Sequence, residues 1–436
     1  MAGRPWLIQP GYTFGQNYSH KDNTIYRLER LAGWGYGTDH PLGMLPSEQE
    51  QLVSAMDQQN SYERRETDTW HTAEVYIKND HWADSTWNYF HFDVRLPLTM
   101  THNRLDYMRA DYDGVTTRNT VFFQPSAKVE YKWHNQQRSV SFNYNMKQSA
   151  PDMQDLLDIV NNEDPLNIYH GNSSLKNTTS HTLRLDHSNN NPGKQRFFGA
   201  YAAYSVTQNA KAMGYVYDRS TGVRVYTPEN VNGNYYIYGG VNYSMPLDKK
   251  RRITFSTWTF GQIFRGVDLI STETGVAPSR SSVNTYWATE TAKLDFRLKR
   301  FMLGVKAYCS WSRAISERED FNPFTVWDFN YGPTAQIELP WDMQLATDLT
   351  LYSRRGYDDP AANTDDVVWN ARLSKRILKG GLTFSIDAFD MLGQLSNLTQ
   401  TVNSQGRFET YRNVIPRYVM FHLIYRLNIK PKTRTF

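Results

Sequence analysis

The chain has almost no cysteine: Cys309 is the only one among 436 residues, so no intramolecular disulfide can form. It also lacks a run of about twenty apolar residues, which a membrane-spanning helix would require. Its 48 basic and 44 acidic residues give a net charge of +4, which is too balanced for the basic stripe of a nucleic-acid-binding protein. These gaps exclude a disulfide-stapled fold, a helical membrane protein and a nucleic-acid partner.

Motifs that carry chemistry are missing as well. The eleven histidines are scattered, no Cys/His cluster has metal-ligand spacing, and no glycine loop has the spacing of a P-loop. We therefore expect neither an enzyme nor a cofactor. The acid pairs Asp358–Asp359 and Asp365–Asp366 could hold a cation, but calcium needs roughly six to eight oxygen ligands. A solvated loop is the favoured interpretation of these acids.

What the chain does have is a repeated alternation of apolar and polar residues over about ten positions. In Tyr89–Leu98 the even positions are Phe90, Phe92, Val94, Leu96 and Leu98, and the odd positions are Tyr89, His91, Asp93, Arg95 and Pro97. Ser126–Trp133 and Thr291–Lys299 alternate in the same way. Because successive side chains of a strand point to opposite faces, each segment is predicted to be a strand with one apolar and one polar face.

The joints between such segments alternate between short and long. Short joints include His134–Gln137, Asp248–Lys250 and Pro340–Asp342. Long joints include Ser19–Thr69, His102–Thr116, Ala150–Asn177, Asn209–Asn232 and Arg265–Val283. Outer-membrane barrels have short turns on the periplasmic side and long loops outside. The pattern predicts an all-β fold, an antiparallel transmembrane β-barrel with about sixteen strands visible, as a single domain over residues 1–436.

Aromatic residues make up 14% of the chain, and several stand at predicted strand ends. Trp and Tyr, with an apolar body and a polar tip, collect at both membrane interfaces. The predicted belt residues are Trp87, Trp133, Tyr243, Trp311, Trp341 and Tyr425. Ordinary aromatic packing on a sheet face is the alternative.

Two of the long joints contain short helical patterns. The segment Leu45–Met56 has a candidate N-cap at Ser47 and no helix breaker from Gln49 onward. The segment Pro151–Val160 has a proline at its start, acids in its first turn, and Met153, Leu156, Leu157 and Val160 on one stripe. Both helices are predicted to lie in outer loops.

Several stretches resemble the C-terminal part of outer-membrane β-barrel proteins related to TonB-dependent receptors. The stretch Asp164–Lys176 is similar to the family's loop-to-strand segment, in which a Gly-Asn pair precedes a Leu-Lys pair. Phe389–Gln394 and the closing strand Arg417–Tyr425 resemble two further stretches. The resemblance implies a barrel of more strands than are visible here, closed by an N-terminal plug that an energy-coupling protein pulls on. Nothing in these 436 residues resembles that plug.

The first ten residues contain no apolar run of signal-peptide length. An exported protein with this sequence is therefore expected to be a mature segment, a fragment or a truncated reading frame. In a fragment the first and last strands would be unpaired edges, which lipid does not tolerate. A lone chain is then expected to close as a smaller barrel or to aggregate.

Charged residues on the polar strand faces are the candidates for lining a substrate path. They are Lys128, Glu130, Lys293, Asp295, Arg297, Glu338 and Arg372. The alternative is a ladder of salt bridges that only fills the barrel.

Three functions stay open at this point. The first is a receptor-type barrel in the outer membrane that takes up a small or oligomeric ligand too large for porins. Such a barrel would contact membrane lipid and the barrel-assembly machinery. It would be energy-coupled only in a full-length protein, through a TonB-type partner and a plug that these residues do not contain. The second is a passive porin-like channel, because about sixteen strands leave an aqueous pore when they close. The third is a soluble, glycan-binding β-protein.

Overall fold

The computed structural model describes residues 6–426 except 36, 39, 41–43, 84–86, 111, 219, 272–275, 277, 319–320, 359, 379–380, 395–397, 404–405, 412–414 and 416. The only α-helix in the described ranges, α1, spans Gln49–Ala55. Single 3-10 turns lie at Leu28–Arg30, Gln154–Leu156, Pro192–Lys194 and Pro360–Ala362. No helix in this part of the chain is long and apolar enough to cross a bilayer.

The strands are β1 (Leu7–Asn23), β2 (Tyr62–Ala83), β3 (Asn88–Arg109), β4 (Tyr112–Phe123), β5 (Ser126–Trp133), β6 (Arg138–Ser149), β7 (Val160–Asp164), β8 (Asn167–His170), β9 (Thr178–Asn191), β10 (Arg196–Gln208), β11 (Ala210–Tyr217), β12 (Arg224–Val231), β13 (Asn234–Pro246), β14 (Ile253–Ser271), β15 (Ser279–Leu298), β16 (Phe301–Ser316), β17 (Phe324–Leu339), β18 (Met343–Arg355), β19 (Asp365–Ile377), β20 (Leu382–Phe389), β21 (Leu398–Asn403), β22 (Gly406–Tyr411) and β23 (Tyr418–Tyr425).

One antiparallel sheet carries the fold, as predicted. Its sixteen strand positions follow in the order β1, β2, β3, β4 with β5, β6, β9, β10, β13, β14, β15, β16, β17, β18, β19, β20 and β23. The strands β4 and β5 share one position because both continue the same register against β3, from Arg109↔Tyr112 to Tyr89↔Lys132. The break between them falls at Pro125, which has no backbone N–H to donate.

Both ends of this sheet are edges. Within the described ranges, no ladder joins β1 to β23, and both strands are largely exposed. Free backbone N–H and C=O groups are not tolerated in lipid. In the membrane these two edges must therefore pair, with each other or with further strands.

The two faces of the sheet differ in chemistry. One face, which we call the outer face, presents exposed apolar residues such as Leu294, Leu303 and Val305, with exposed fractions of 42%, 46% and 53%. The opposite inner face presents ion pairs between residues two apart on one strand, such as Lys293 Nζ to Asp295 Oδ2 at 2.9 Å. Exposed apolar residues on a wide area are stable only against lipid or a partner, and the lipid-facing side of the predicted barrel meets this requirement.

Several strands are longer than the alternation predicts. The segment His102–Thr116, predicted as a long loop, is instead the tip of the β3–β4 hairpin, with Arg109 paired to Tyr112. Likewise, β1 continues to Asn23, β2 begins at Tyr62, and β14 runs to Ser271. Outside the bilayer both faces of a strand are wet, so the apolar alternation ends although the hydrogen-bond ladder continues.

The helical predictions are partly wrong. A helix forms within Leu45–Met56, but Glu48 rather than Ser47 is its N-cap residue, with no side-chain hydrogen bond. In Pro151–Val160 only one 3-10 turn forms, over Gln154–Leu156. Of the predicted apolar stripe, Met153 and Leu157 pack on β3 with Leu156 partly buried beside them, whereas Val160 is 49% exposed. A helix this short gains little from its own hydrogen bonds.

The predicted belt aromatics lie near both ends of the strands. Trp87 and Trp341 lie at short turns and are 62% and 79% exposed. Trp311 lies towards the other end of β16, with its ring centroid 6.3 Å from that of Trp327. The predicted last strand, Arg417–Leu427, corresponds to β23, and Leu427 lies outside the described residues.

A charge placed on the outer face tests the membrane orientation. The substitution Val305→Arg is expected to lower the free energy of unfolding in lipid vesicles by roughly 2–4 kcal/mol, because an arginine there faces hydrocarbon. Denaturant titration with a gel-shift readout of folded barrel measures the change. The control is Lys306→Arg, which keeps one cation on the inner face at the neighbouring position and should be nearly neutral. Equal losses in both variants would contradict the assigned orientation.

Candidate functional site

The register of the sheet places all seven predicted path residues on the inner face. Lys128 and Glu130 lie on β5. There Glu130 forms ion pairs with Lys128 at 3.3 Å and with Lys132 at 3.4 Å. This charged row continues onto β3, with His91 and Asp93, and onto β2, with Asp80. His91 Nδ1 lies 2.7 Å from Asp80, and His91 Nε2 lies 2.6 Å from Asp93. The inner face is thus a polar wall, and its role in lining a substrate path stays a prediction.

The other five predicted residues divide between two grooves and their surroundings. Lys293 and Arg372 line a groove of about 470 Å³ that crosses the inner face from β15 to β20. Glu338 lines a second groove of about 860 Å³ at the short-turn end. Asp295 pairs with Lys293, and the Arg297 guanidinium contacts Met302 Sδ at 3.5 Å. The structure therefore brings Lys293 and Arg372 together and separates them from Lys128 and Glu130.

The groove between β15 and β20 contains charged residues that the sequence reasoning missed. Lys306 Nζ lies 3.8 Å from Asp348 Oδ2, which leaves the ammonium only loosely held. Asp387 is 2% exposed, and it accepts two hydrogen bonds from Arg372, at 2.6 and 2.7 Å. The sequence held a usable signal for two of these residues. Lys306 and Asp348 each occupy a polar-face position in a strand that alternates between apolar and polar residues.

The long joint over residues 150–177 folds inward. Leu105 and Tyr107 belong to the inner face of β3, yet they are 0% and 1% exposed because Met153 and Leu157 pack on them. We call residues 150–177, together with the hairpin β11–β12, the outer cap. The cap covers the upper part of the polar wall beside β2 and β3.

Arginine side chains hold the outer cap on the wall. The buried Arg109 donates through Nη1 to the carbonyl of Val160 at 2.8 Å and through Nη2 to the side chain of Asn60. Arg64 reaches Asp152 and Gln154, both at 3.2 Å. These bonds tie two long joints to the same sheet strands.

The stretch Asp164–Lys176, which carries the family resemblance, lies where residues 150–177 contact the β11–β12 hairpin and β4. A Cβ on Gly171 would lie 1.6 Å from the carbonyl oxygen of Leu157, so only glycine fits there. The Asn172 side chain donates to the carbonyl of Pro228 at 2.9 Å. Leu175 is buried, and the carbonyl oxygen of Leu175 accepts from Arg118 at 3.3 Å.

The two cap segments are joined by main-chain pairing. The strands β8 and β12 pair in parallel from Asn167↔Arg224 to Tyr169↔Tyr226, and β11 pairs in parallel with the end of β14 at Tyr215↔Ile270. Lys211 of β11 also reaches Asp155 at 2.7 Å. Residues 150–177 are therefore coupled to β14 through the β11–β12 hairpin.

Two titratable groups in the outer loops, Asp57 and Tyr357, have shifted pKa values. Burial would raise the pKa of Asp57, but hydrogen bonds from Asn60 and Arg27 hold it below its usual value. The bond from Arg27 Nε measures 3.0 Å. Burial and the neighbouring Asp328 carboxylate raise the pKa of Tyr357, whose hydroxyl donates to Asp328 at 2.9 Å. Near neutral pH Asp57 therefore stays ionised and Tyr357 stays protonated, so the hydrogen bonds that hold both loops persist.

Asp365, one of the acids considered for a cation, is engaged by protein partners in the described part of the chain. Asp365 is held by Arg355 at 2.8 Å and by the Ser353 hydroxyl at 2.6 Å. Asp359 lies outside the described residues. No group of three metal-binding side chains occurs in the part of the chain that the structure describes.

The Arg372–Asp387 pair gives a test of the charged groove. In Arg372→Met, the described residue of opposite charge that stays within ion-pair distance of the buried Asp387 carboxylate is His422, 3.0 Å away. Because the guanidinium is partly solvated, the free energy of unfolding is expected to fall by only about 1–2 kcal/mol. The double variant Arg372→Met/Asp387→Leu should recover most of this loss in denaturant titrations. A double variant that is less stable than Arg372→Met would show that the unpaired Asp387 carboxylate is not what destabilises the single variant.

Comparison with known proteins bears on the sheet from β3 onward. No curated protein and no solved structure matches the chain significantly. Residues 85–425, which run from the start of β3 to the end of β23, match the outer membrane protein beta-barrel family. A match over this length, together with one antiparallel sheet and its apolar outer face, shows that the chain belongs to this family and is a protein of the outer membrane.

Proposed function

We propose that the chain is the barrel of an uptake system that captures its ligand at the outer cap and passes it along the polar inner wall. The family indicates a transport or channel role. The observation that carries the finer proposal is the inward-folded cap, in which Met153 and Leu157 bury Leu105 and Tyr107. A loop that packs on the inner wall narrows the mouth and offers a surface for a ligand.

Energy coupling is the second element of the proposal. The stretch Asp164–Lys176 resembles receptors that work with a TonB-type partner and a plug. A cap that closes the mouth at rest fits such a system, because passage then requires work from outside the barrel. The ligand would be a small or oligomeric molecule too large for porins, and the barrel-assembly machinery would insert the chain into the membrane.

A passive channel is the competing function. The charged rows on β2, β3 and β5 and the open groove of about 470 Å³ would solvate small ions of either sign along the wall. Ion conductance separates the two proposals: a barrel that conducts with its cap in place is a channel. The soluble glycan-binding hypothesis is withdrawn, because the family is one of outer-membrane proteins.

Releasing the cap should open the barrel. In Met153→Asp/Leu157→Asp two carboxylates replace the apolar contacts to Leu105 and Tyr107, and burying unpaired charges there is unfavourable. We expect single-barrel conductance in planar bilayers to rise at least severalfold over a nearly closed wild type.

The matched control is Leu166→Asp, which adds a carboxylate to the same cap at a side chain that is 54% exposed. Its conductance should equal that of the wild type. A high wild-type conductance that no variant changes would favour the passive channel. A wild type and double variant that both stay closed would refute the cap as the barrier.

A further inference from the structure

The strand β14 reverses the chemistry of the two faces. Its inner-face residues from position 258 to 264 are Trp258, Phe260, Gln262 and Phe264, whereas its outer-face residues are Thr257, Thr259, Gly261 and Ile263. Trp258 and Phe264 are 42% and 43% exposed. Large aromatic side chains normally gain most by facing lipid or a packed core. Here they face the polar wall, while two threonines, a glycine and one isoleucine face outward.

Ring contacts extend this surface to both sides of β14. Trp258 stacks on Phe260 at 5.9 Å between ring centroids, and Phe260 meets Trp287 of β15 edge-on at 5.4 Å. On the other side, Phe264 contacts Tyr236 of β13 at 6.4 Å, and Tyr236 stacks on Tyr238 at 4.6 Å. We call these six aromatic residues the aromatic band.

The band runs along the direction of transport. Four consecutive inner positions of β14, from Trp258 to Phe264, cover about 20 Å at roughly 3.3 Å per residue. Its upper end lies on the strand that pairs with the outer cap, through Ile270 and Tyr215. A ligand released from the cap would therefore meet the band next.

Hydrogen-bonding groups are interleaved with the rings. Gln262 lies between Phe260 and Phe264 and accepts from the Tyr236 hydroxyl at 2.5 Å. The Trp287 indole donates to Ser310 at 2.7 Å. Two ion pairs border the band: Arg184 with Asp186 at 2.6 Å, and Lys293, which lies opposite Ser256 beside Trp258, with Asp295 at 2.9 Å. In each pair the two charges neutralise each other. The surface offers flat apolar faces, polar atoms and no net charge.

We propose that the aromatic band binds a neutral oligosaccharide. A sugar ring has C–H faces that lie against aromatic rings and hydroxyls at its edge that bond to amides and hydroxyls, which matches this alternation. A charged ligand would leave its charge uncompensated here, whereas the groove lined by Lys293 and Arg372 would suit one. The inference rests on the proposed uptake function and names the substrate class.

The test is binding of maltohexaose and cellohexaose to the full chain, measured by saturation-transfer NMR in a detergent without a sugar headgroup. Wild type is expected to bind at least one of them at millimolar concentration or below. Trp258→Ala and Phe264→Ala should each weaken binding about tenfold, the loss expected for one aromatic stacking contact. Two separate variants guard against one that fails to fold.

The control is Trp327→Ala, since Trp327 has nearly the same exposure, 45%, but lies on the outer face. It should bind as the wild type does. No binding of either hexasaccharide, or equal binding by all three variants, would overturn the proposal; a band that only packs against another protein segment gives the first result. Conductance of the cap variants in the same preparation decides the uptake function separately, so either proposal can fail alone.

Discussion

The structure depends on one constraint, which is that every backbone N–H and C=O group within the bilayer needs a partner from the chain itself. The long ladders between neighbouring strands, from β1↔β2 to β20↔β23, supply most of these partners, and in the described residues the sheet ends at β1 and β23 without a ladder on their outer sides. The same ladders fix the register. They therefore place Lys128, Lys293 and Arg372 on one face, although these residues lie far apart in the chain.

Register has a second consequence for the inner wall. Since side chains alternate strictly, a charge and its partner two residues on must share a face, and pairs such as Arg184–Asp186 form without any long-range contact. Cross-strand neighbours then build larger clusters, as Asp387 does with Arg372 and His422. Most charges on the wall are thus neutralised by an oppositely charged side chain of the wall itself. Lys306 is held more loosely, 3.8 Å from Asp348, so the wall would attract a negatively charged group there.

The outer cap shows how loops become part of the barrel interior. The cap buries apolar side chains on a wall that is otherwise polar, and Arg109 satisfies carbonyl groups of both long joints. Gly171 is required where its backbone passes the carbonyl oxygen of Leu157 within residues 150–177. Through β8, β12 and β11 the cap is linked by main-chain pairing to β14, the strand that carries the aromatic band.

The sequence alone determined the sixteen strand positions, the short turns and the faces of strands such as β5 and β15, because a period of two is a local property that lipid imposes on each strand. It did not determine the faces of β14, whose aromatic residues the register places on the inner side. It did not reveal that His102–Thr116 is a hairpin, since the alternation stops where both faces are wet. The inward position of Met153 and Leu157, the pairing of β8 with β12, and the neighbourhood of Asp387 were decided only by the tertiary structure. The reason is that these contacts join residues far apart in the chain, and no local pattern specifies which distant backbone or side chain will meet them.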